Sequence, residues 1–152
     1  MAHHTDLRLV FEAWGGRERE FNWLLTDHEL NPYPRGIARY IDRESAIWLG
    51  GPELSEIVNT YDVQFIWGVL SAFRPDVAIN PAALEVHPFA DGNESFWVPG
   101  TRIQHPLAEV EIVCWDSTAT LLLSRDDDLT RRFRTFFPEA VDLDEYNLEQ
   151  GR

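Results

Sequence analysis

The 152-residue chain reads as one α+β domain, a mixed, largely antiparallel sheet of about five to seven strands with two main helices packed on it. Three observations predict this. Short runs rich in β-branched and aromatic residues alternate with turn signals at close spacing, which favours antiparallel pairing over a doubly wound sheet. Two segments, 50–61 and 126–137, carry an apolar face at helical period together with start and stop residues. Hydrophobic residues make up 44% of the chain and aromatic ones 12%, so a core forms in spite of a net charge of −13.

Taken in order, residues 7–13 (Leu-Arg-Leu-Val-Phe-Glu-Ala) alternate loosely and predict a strand ended by Gly15-Gly16. Residues 21–25 predict another, and Asn31-Pro-Tyr-Pro-Arg-Gly36 is a turn-rich break. Ile37, Arg39 and Ile41 alternate with Ala38 and Tyr40; with a polar turn at 42–45 and the run 46–49 they predict a hairpin. Gly50-Gly51-Pro52 opens a helix, because proline suits its first position, Glu53 and Glu56 suit its positive end, and Leu54, Ile57, Val58 and Tyr61 share a face. The mostly apolar run 63–73 predicts a central strand covered on both faces.

From 74 to 106 the chain changes character. Prolines at 75, 81, 88, 99 and 106 and the turn signal Asp91-Gly92-Asn93 mark an excursion, with a helical turn expected at 82–85 and a strand at 96–98. Residues 109–116 and 118–123 predict a hairpin turning at Asp116-Ser117. The last helix, 126–137, sets Leu129, Phe133, Phe136 and Phe137 on one face against Arg131, Arg132 and Arg134 on the other, and Pro138 ends it. The acidic tail 139–152 is open to fraying, although Val141, Leu143, Tyr146 and Leu148 could anchor part of it.

Charge narrows the function classes. All thirteen cations are arginine, against 26 carboxylates. An acidic surface repels nucleic acid and anionic membranes and attracts basic partners. Without lysine there is no Schiff-base chemistry and no lysine-bearing phosphate loop. The single cysteine, Cys114, sits in an apolar run with no partner for an intramolecular disulfide, which predicts a reducing compartment. No apolar stretch approaches the ~20 residues that span a bilayer, and Met-Ala-His-His-Thr-Asp lacks the features of a signal peptide. The expectation is a cytoplasmic protein.

Candidate chemistry is sparse. Asp126-Asp127-Asp128 fits a helix cap and a complement to the helix dipole better than a metal site. His87, Asp91, Glu94 and His105 lie in the excursion, where two imidazoles and two carboxylates would suit a metal, a small ligand or acid–base work. Both histidines precede proline and their spacing matches no known ligand motif, so two surface histidines are the simpler reading. Of six tryptophans, those at 23, 48, 67 and 115 fall in predicted strands and read as packing; Trp14, beside glycine, and Trp97, in the excursion, are expected nearest a functional surface. Cys114 reads as a buried small hydrophobe and no serine sits in a nucleophile elbow. No cofactor is implied.

Two stretches carry a resemblance: Phe21-Asn-Trp-Leu-Leu-Thr-Asp-His-Glu-Leu30 and the run from Cys114 through Asp116-Ser117 and Asp126-Asp127-Asp128 to Leu129. The second resembles the strand, Asp-Ser turn, strand and acid-capped helix of small bacterial proteins, about 150 residues long, grouped as domains of unknown function. The resemblance implies a bacterial accessory protein in the company of acidic proteins that include toxin-neutralising immunity proteins, and it brings no catalytic residues. The expected function is therefore a non-enzymatic, immunity- or antitoxin-like inhibitor of a basic protein. The alternatives are a small-ligand or metal-binding protein or enzyme working through 74–106, and a structural subunit of an oligomer.

Overall fold

The computed structural model describes residues 6–42 and 44–151. Five strands, β1 (Asn22–Leu30), β2 (Ile47–Gly50), β3 (Phe65–Phe73), β4 (Val110–Trp115) and β5 (Ala119–Ser124), form one antiparallel sheet in the order β2-β1-β3-β4-β5. Four helices accompany it: α1 (Leu7–Ala13), α2 (Gly51–Thr60), α3 (Asp127–Phe136) and α4 (Leu143–Gln150). The α+β class with an antiparallel sheet is as the alternation predicts.

The period of two sorts side chains onto two covered faces. On one face Trp23, Leu25, Leu70, Ala72, Val110, Ile112 and Cys114 meet α1, α2 and α3 through Val10, Phe11, Leu54, Ile57 and Leu129. On the other, Val69 and Val113 pack on Ala90 and Phe96, and Leu24 and Phe73 pack beside Val77, Ile79 and Ile103, all from the excursion. The proline-rich segment is thus the second layer of the molecule. That is why β3 is apolar on both sides.

Helix α2 begins where Gly50-Gly51-Pro52 places it. A Cβ on Gly51 would lie 2.5–2.6 Å from the carbonyl oxygens of Glu18, Arg19 and Phe21, so only glycine admits this approach. The buried Glu18 accepts a hydrogen bond from Ser55 Oγ at 2.8 Å across the same contact. Helix α3 is capped by Asp126, which accepts from Leu129 N at 3.0 Å. Arg17 binds Asp126 and Asp128 from the opposite side, at 3.0 Å each, and holds α3 against the 3-10 turn Arg17–Glu20. Contact with the Arg17 guanidinium keeps the Asp126 carboxyl below the usual carboxylate range.

Five local expectations are corrected. Residues 7–13 form α1 rather than a strand: Asp6 caps it by accepting from Arg8 N, and Leu7, Val10 and Phe11 recur at helical spacing toward the core. Seven residues satisfied either period, and burial of the helical face decided. Ile37 and Ile41 are buried four residues apart around a 3-10 turn, Ile37–Arg39, while β2 pairs with β1 instead of with this segment. Arg43 of the predicted turn lies outside the described residues.

Within the excursion, a 3-10 turn Glu94–Trp97 replaces the strand at 96–98, because Asn93 Oδ1 accepts from Ser95 N and curls the chain. A hydrogen-bonded turn from Asn80 to Ala83 stands in place of the helical turn at 82–85. The tail folds as α4 rather than fraying: Asp142 caps it by accepting from Glu145 N. Asn147 is buried and donates to the carbonyls of Phe96 and Val98 at 2.9 and 3.2 Å. Among the described residues no helix is long and apolar enough to cross a membrane.

Candidate functional site

The excursion that carries most of the predicted site residues is fixed to the sheet by polar groups. A bulge in β1 between Thr26 and Glu29 puts Asp27 at φ +50°, which turns its carboxylate outward. There Asp27 Oδ2 accepts from Ala90 N and Asp91 N at 2.8 and 3.0 Å, while Thr26 Oγ1 donates to Pro88 O at 2.7 Å. From β4, Glu111 is 0% exposed and accepts from Gln104 N at 2.6 Å and Gln104 Nε2 at 2.8 Å. Gln104 Oε1 in turn accepts from Phe89 N and Asn93 Nδ2. Burial raises the Glu111 carboxyl above its ordinary range, and the two bonds from Gln104 oppose that shift.

The sequence-predicted residues do not converge here. His87, Asp91 and Glu94 are exposed. His105 is only 7% exposed: its ring stands edge-on to Phe73 at 4.9 Å, and its Nδ1 accepts from Leu107 N. The reading of His105 as a surface histidine is corrected by this packing, and burial lowers its pKa below the ordinary 6.5. Among the described residues no three His, Cys, Asp or Glu side chains come together as a metal would need. Trp14 is 0% exposed and stacks on Trp23 at 6.2 Å, so it belongs to the core and not to a functional surface. Its neighbour Gly15 carries the turn that made it look exposed, at φ +62°.

Trp97 alone of the set lines a concavity. A groove of about 1060 Å³ runs along β5 at the edge of the sheet, at the upper end of the range of small-molecule pockets. Val10, Phe133 and Phe137 form its side toward the helices, and Trp97, Ile103 and Tyr146 its side toward the excursion. Between α3 and α4, residues 139–142 carry the chain past the sheet edge and wall the groove. Every residue of β5 is half-buried, whereas β4 beside it is buried over five of its six residues.

Comparison with known proteins gives no match. No family model, no curated protein and no solved structure corresponds to this chain.

The charges around the groove are unequal. Four acids line it, Asp6, Glu139, Asp142 and Asp144, the last three from the connection between α3 and α4 and the start of α4. Three arginines also line the groove: Arg134 pairs with Asp142 at 3.2 Å, Arg125 donates to Pro106 O at 3.4 Å, and Arg102 is exposed. Sequence reasoning missed the groove because it is made by a tail open to fraying and a strand expected to be ordinary. The signal was the run Ala119-Thr-Leu-Leu-Leu123, apolar at consecutive positions and hence on both faces, at the end of the strand order where no neighbour follows.

Proposed function

We propose that this protein is a non-enzymatic binding protein that holds a basic protein partner, in the manner of an acidic immunity or antitoxin-like inhibitor. One observation carries the reading: a mainly apolar groove along the sheet edge is walled by residues 139–144, whose charged side chains, Glu139, Asp142 and Asp144, are all acids. Apolar floor and acidic wall suit a protein ligand, with the floor contributing affinity and the net charge of −13 steering association and rejecting anionic competitors. Under the excursion, Glu111 and Asp27 accept hydrogen bonds that hold the second layer to the sheet.

The test is retention of proteins from a host lysate on the immobilised chain at low ionic strength. A basic protein released by salt is the expected result. The variant E139Q/E145Q/E149Q keeps the Asp142 cap and removes three exposed acids. At about 0.5 kcal/mol per acid it should weaken binding about tenfold. Failure to retain any basic protein at low salt overturns the proposal.

A further inference from the structure

We infer that residues 139–150 form a releasable arm: α4 unlatches from the loop 96–100 and unravels while the sheet and the other helices stay folded, and the groove opens to its full width as the arm leaves. The inference rests on the binding reading above for its occupant, since a protein partner would enter by that opening. Of the eight residues of α4, Asn147 alone is buried, while Tyr146 and Leu148 are 41% and 60% exposed. The helix is therefore held by hydrogen bonds rather than by an apolar face. Asn147 Nδ2 donates to Phe96 O and Val98 O at 2.9 and 3.2 Å, and Asp144 Oδ1 accepts from Gly100 N at 3.0 Å. A further tie, Arg134 to Asp142, is an exposed ion pair of the kind that contributes little.

Both positions of such an arm leave the polar groups satisfied. Thr101 Oγ1 lies 3.2 Å from Phe96 O and 2.9 Å from Val98 O, so a second donor stands at the two carbonyls that Asn147 would vacate. Once detached, an eight-residue helix is too short to persist in water. At its other end the arm is rooted through Phe137, half-buried against the core and 4.8 Å from the ring of Phe133, and there the opening stops. Few buried apolar contacts and an exposed helix give a segment a low free energy of local opening.

The arm supplies one wall of the groove, through residues 139–144 and Tyr146. With that wall in place the space has the size of a small-molecule site, whereas a protein partner covers about 800 Å² on each side. Moving the wall away turns Trp97, Ile103, Leu121 and Leu123 into an open apolar face. Arg102 and Arg125 stay with the body, while Glu139, Asp142, Asp144, Glu145 and Glu149 travel with the arm. A basic partner thus finds its apolar contacts on the floor and its acids on the part that moves.

The test uses the full chain and needs no partner. Amide hydrogen exchange of the isotope-labelled protein should show the α4 amides exchanging about a hundredfold faster than those of β3 and β4, through local rather than global opening. Asn147→Asp sets an acceptor against two carbonyls and should speed the α4 amides a further thirtyfold or so, about the loss of two hydrogen bonds, with β3 and β4 unchanged. Leu148→Asp adds the same charge at an exposed position and should speed them by about threefold at most. Leu121→Cys puts a thiol on the groove floor, Cys114 being buried, and its labelling by a bulky maleimide should also rise about thirtyfold when Asn147→Asp is added.

Exchange of α4 no faster than that of the sheet overturns the arm, as does an Asn147→Asp effect that is no larger than that of Leu148→Asp or that speeds β3 and β4 equally. Labelling at position 121 unmoved by Asn147→Asp overturns the opening of the groove. Each of these results leaves the basic-partner reading standing. Failure to retain a basic protein from lysate overturns that reading alone, because exchange and labelling decide the arm without a partner.

Discussion

Glu111 is the residue on which the second layer hangs. It is the single carboxylate on a strand whose neighbours in phase, Val113 and Trp115, are apolar, and its two bonds reach the backbone and the side chain of Gln104. Beside it across the strand pair, Ser71 Oγ is buried with no hydrogen-bond partner among the described residues. Glu111→Ala leaves the half-buried Gln104 N–H unmet, while Gln104 Nε2 keeps its bond to Phe89 O, and should cost about 1–3 kcal/mol, read as a lower urea midpoint. His105 gives the same layer a pH dependence. Its folded pKa is below 6.5, so as pH falls through about 6.5 the unfolded chain takes the proton first and stability is lost. The raised Glu111 acts the other way above its ordinary 4.5, because there the folded chain holds the proton longer. His105→Gln isolates the histidine: between pH 7.5 and 5.5 the variant should lose less stability than the parent chain in parallel urea titrations.

At the scale of elements, much was legible in the sequence. The start of α2, the hairpin β4–β5 and the cap of α3 rest on local chemistry that sits in a few adjacent residues: Pro52 at a first turn, two turn residues, an aspartate three positions before an amide. What was not legible depends on partners far along the chain. Residues 7–13 are too short for their period to decide, and the choice falls to the core they cover. Asp27 lies beyond the strand predicted at 21–25, and a bulge in the longer β1 aims it at backbone amides more than 60 positions away. Glu111 did carry a signal, a charge in phase with buried positions. The β4–β5 turn is also improvable. Asp116 and Ser117 hold φ of +47° and +56°, a conformation that costs an L side chain about 1 kcal/mol. Ser117→Gly should raise stability by about 0.5–1 kcal/mol, measurable as a higher melting temperature.

For the whole molecule, the charge is distributed by duty. Asp126 and Asp128 grip Arg17, Asp6 and Asp142 cap helices, and Asp27 and Glu111 bind the excursion. Those acids are committed to the fold. Glu139, Glu145 and Glu149 face solvent and carry none of these duties. The triple glutamine variant should therefore flatten the salt dependence of partner association while leaving the unfolding midpoint nearly unchanged, a separation that stopped-flow rates and urea titration make directly.

Trp97 gives the groove an optical readout. It stands edge-on to Trp115 at 5.0 Å and close to Tyr146 at 6.2 Å, half-buried on the groove side, whereas Trp14 and Trp23 are sealed in the core. Any side chain laid in the groove displaces water from this indole before it disturbs the sealed ones. The emission of the chain therefore reports occupancy of the groove without a label, against a background from the core that stays constant.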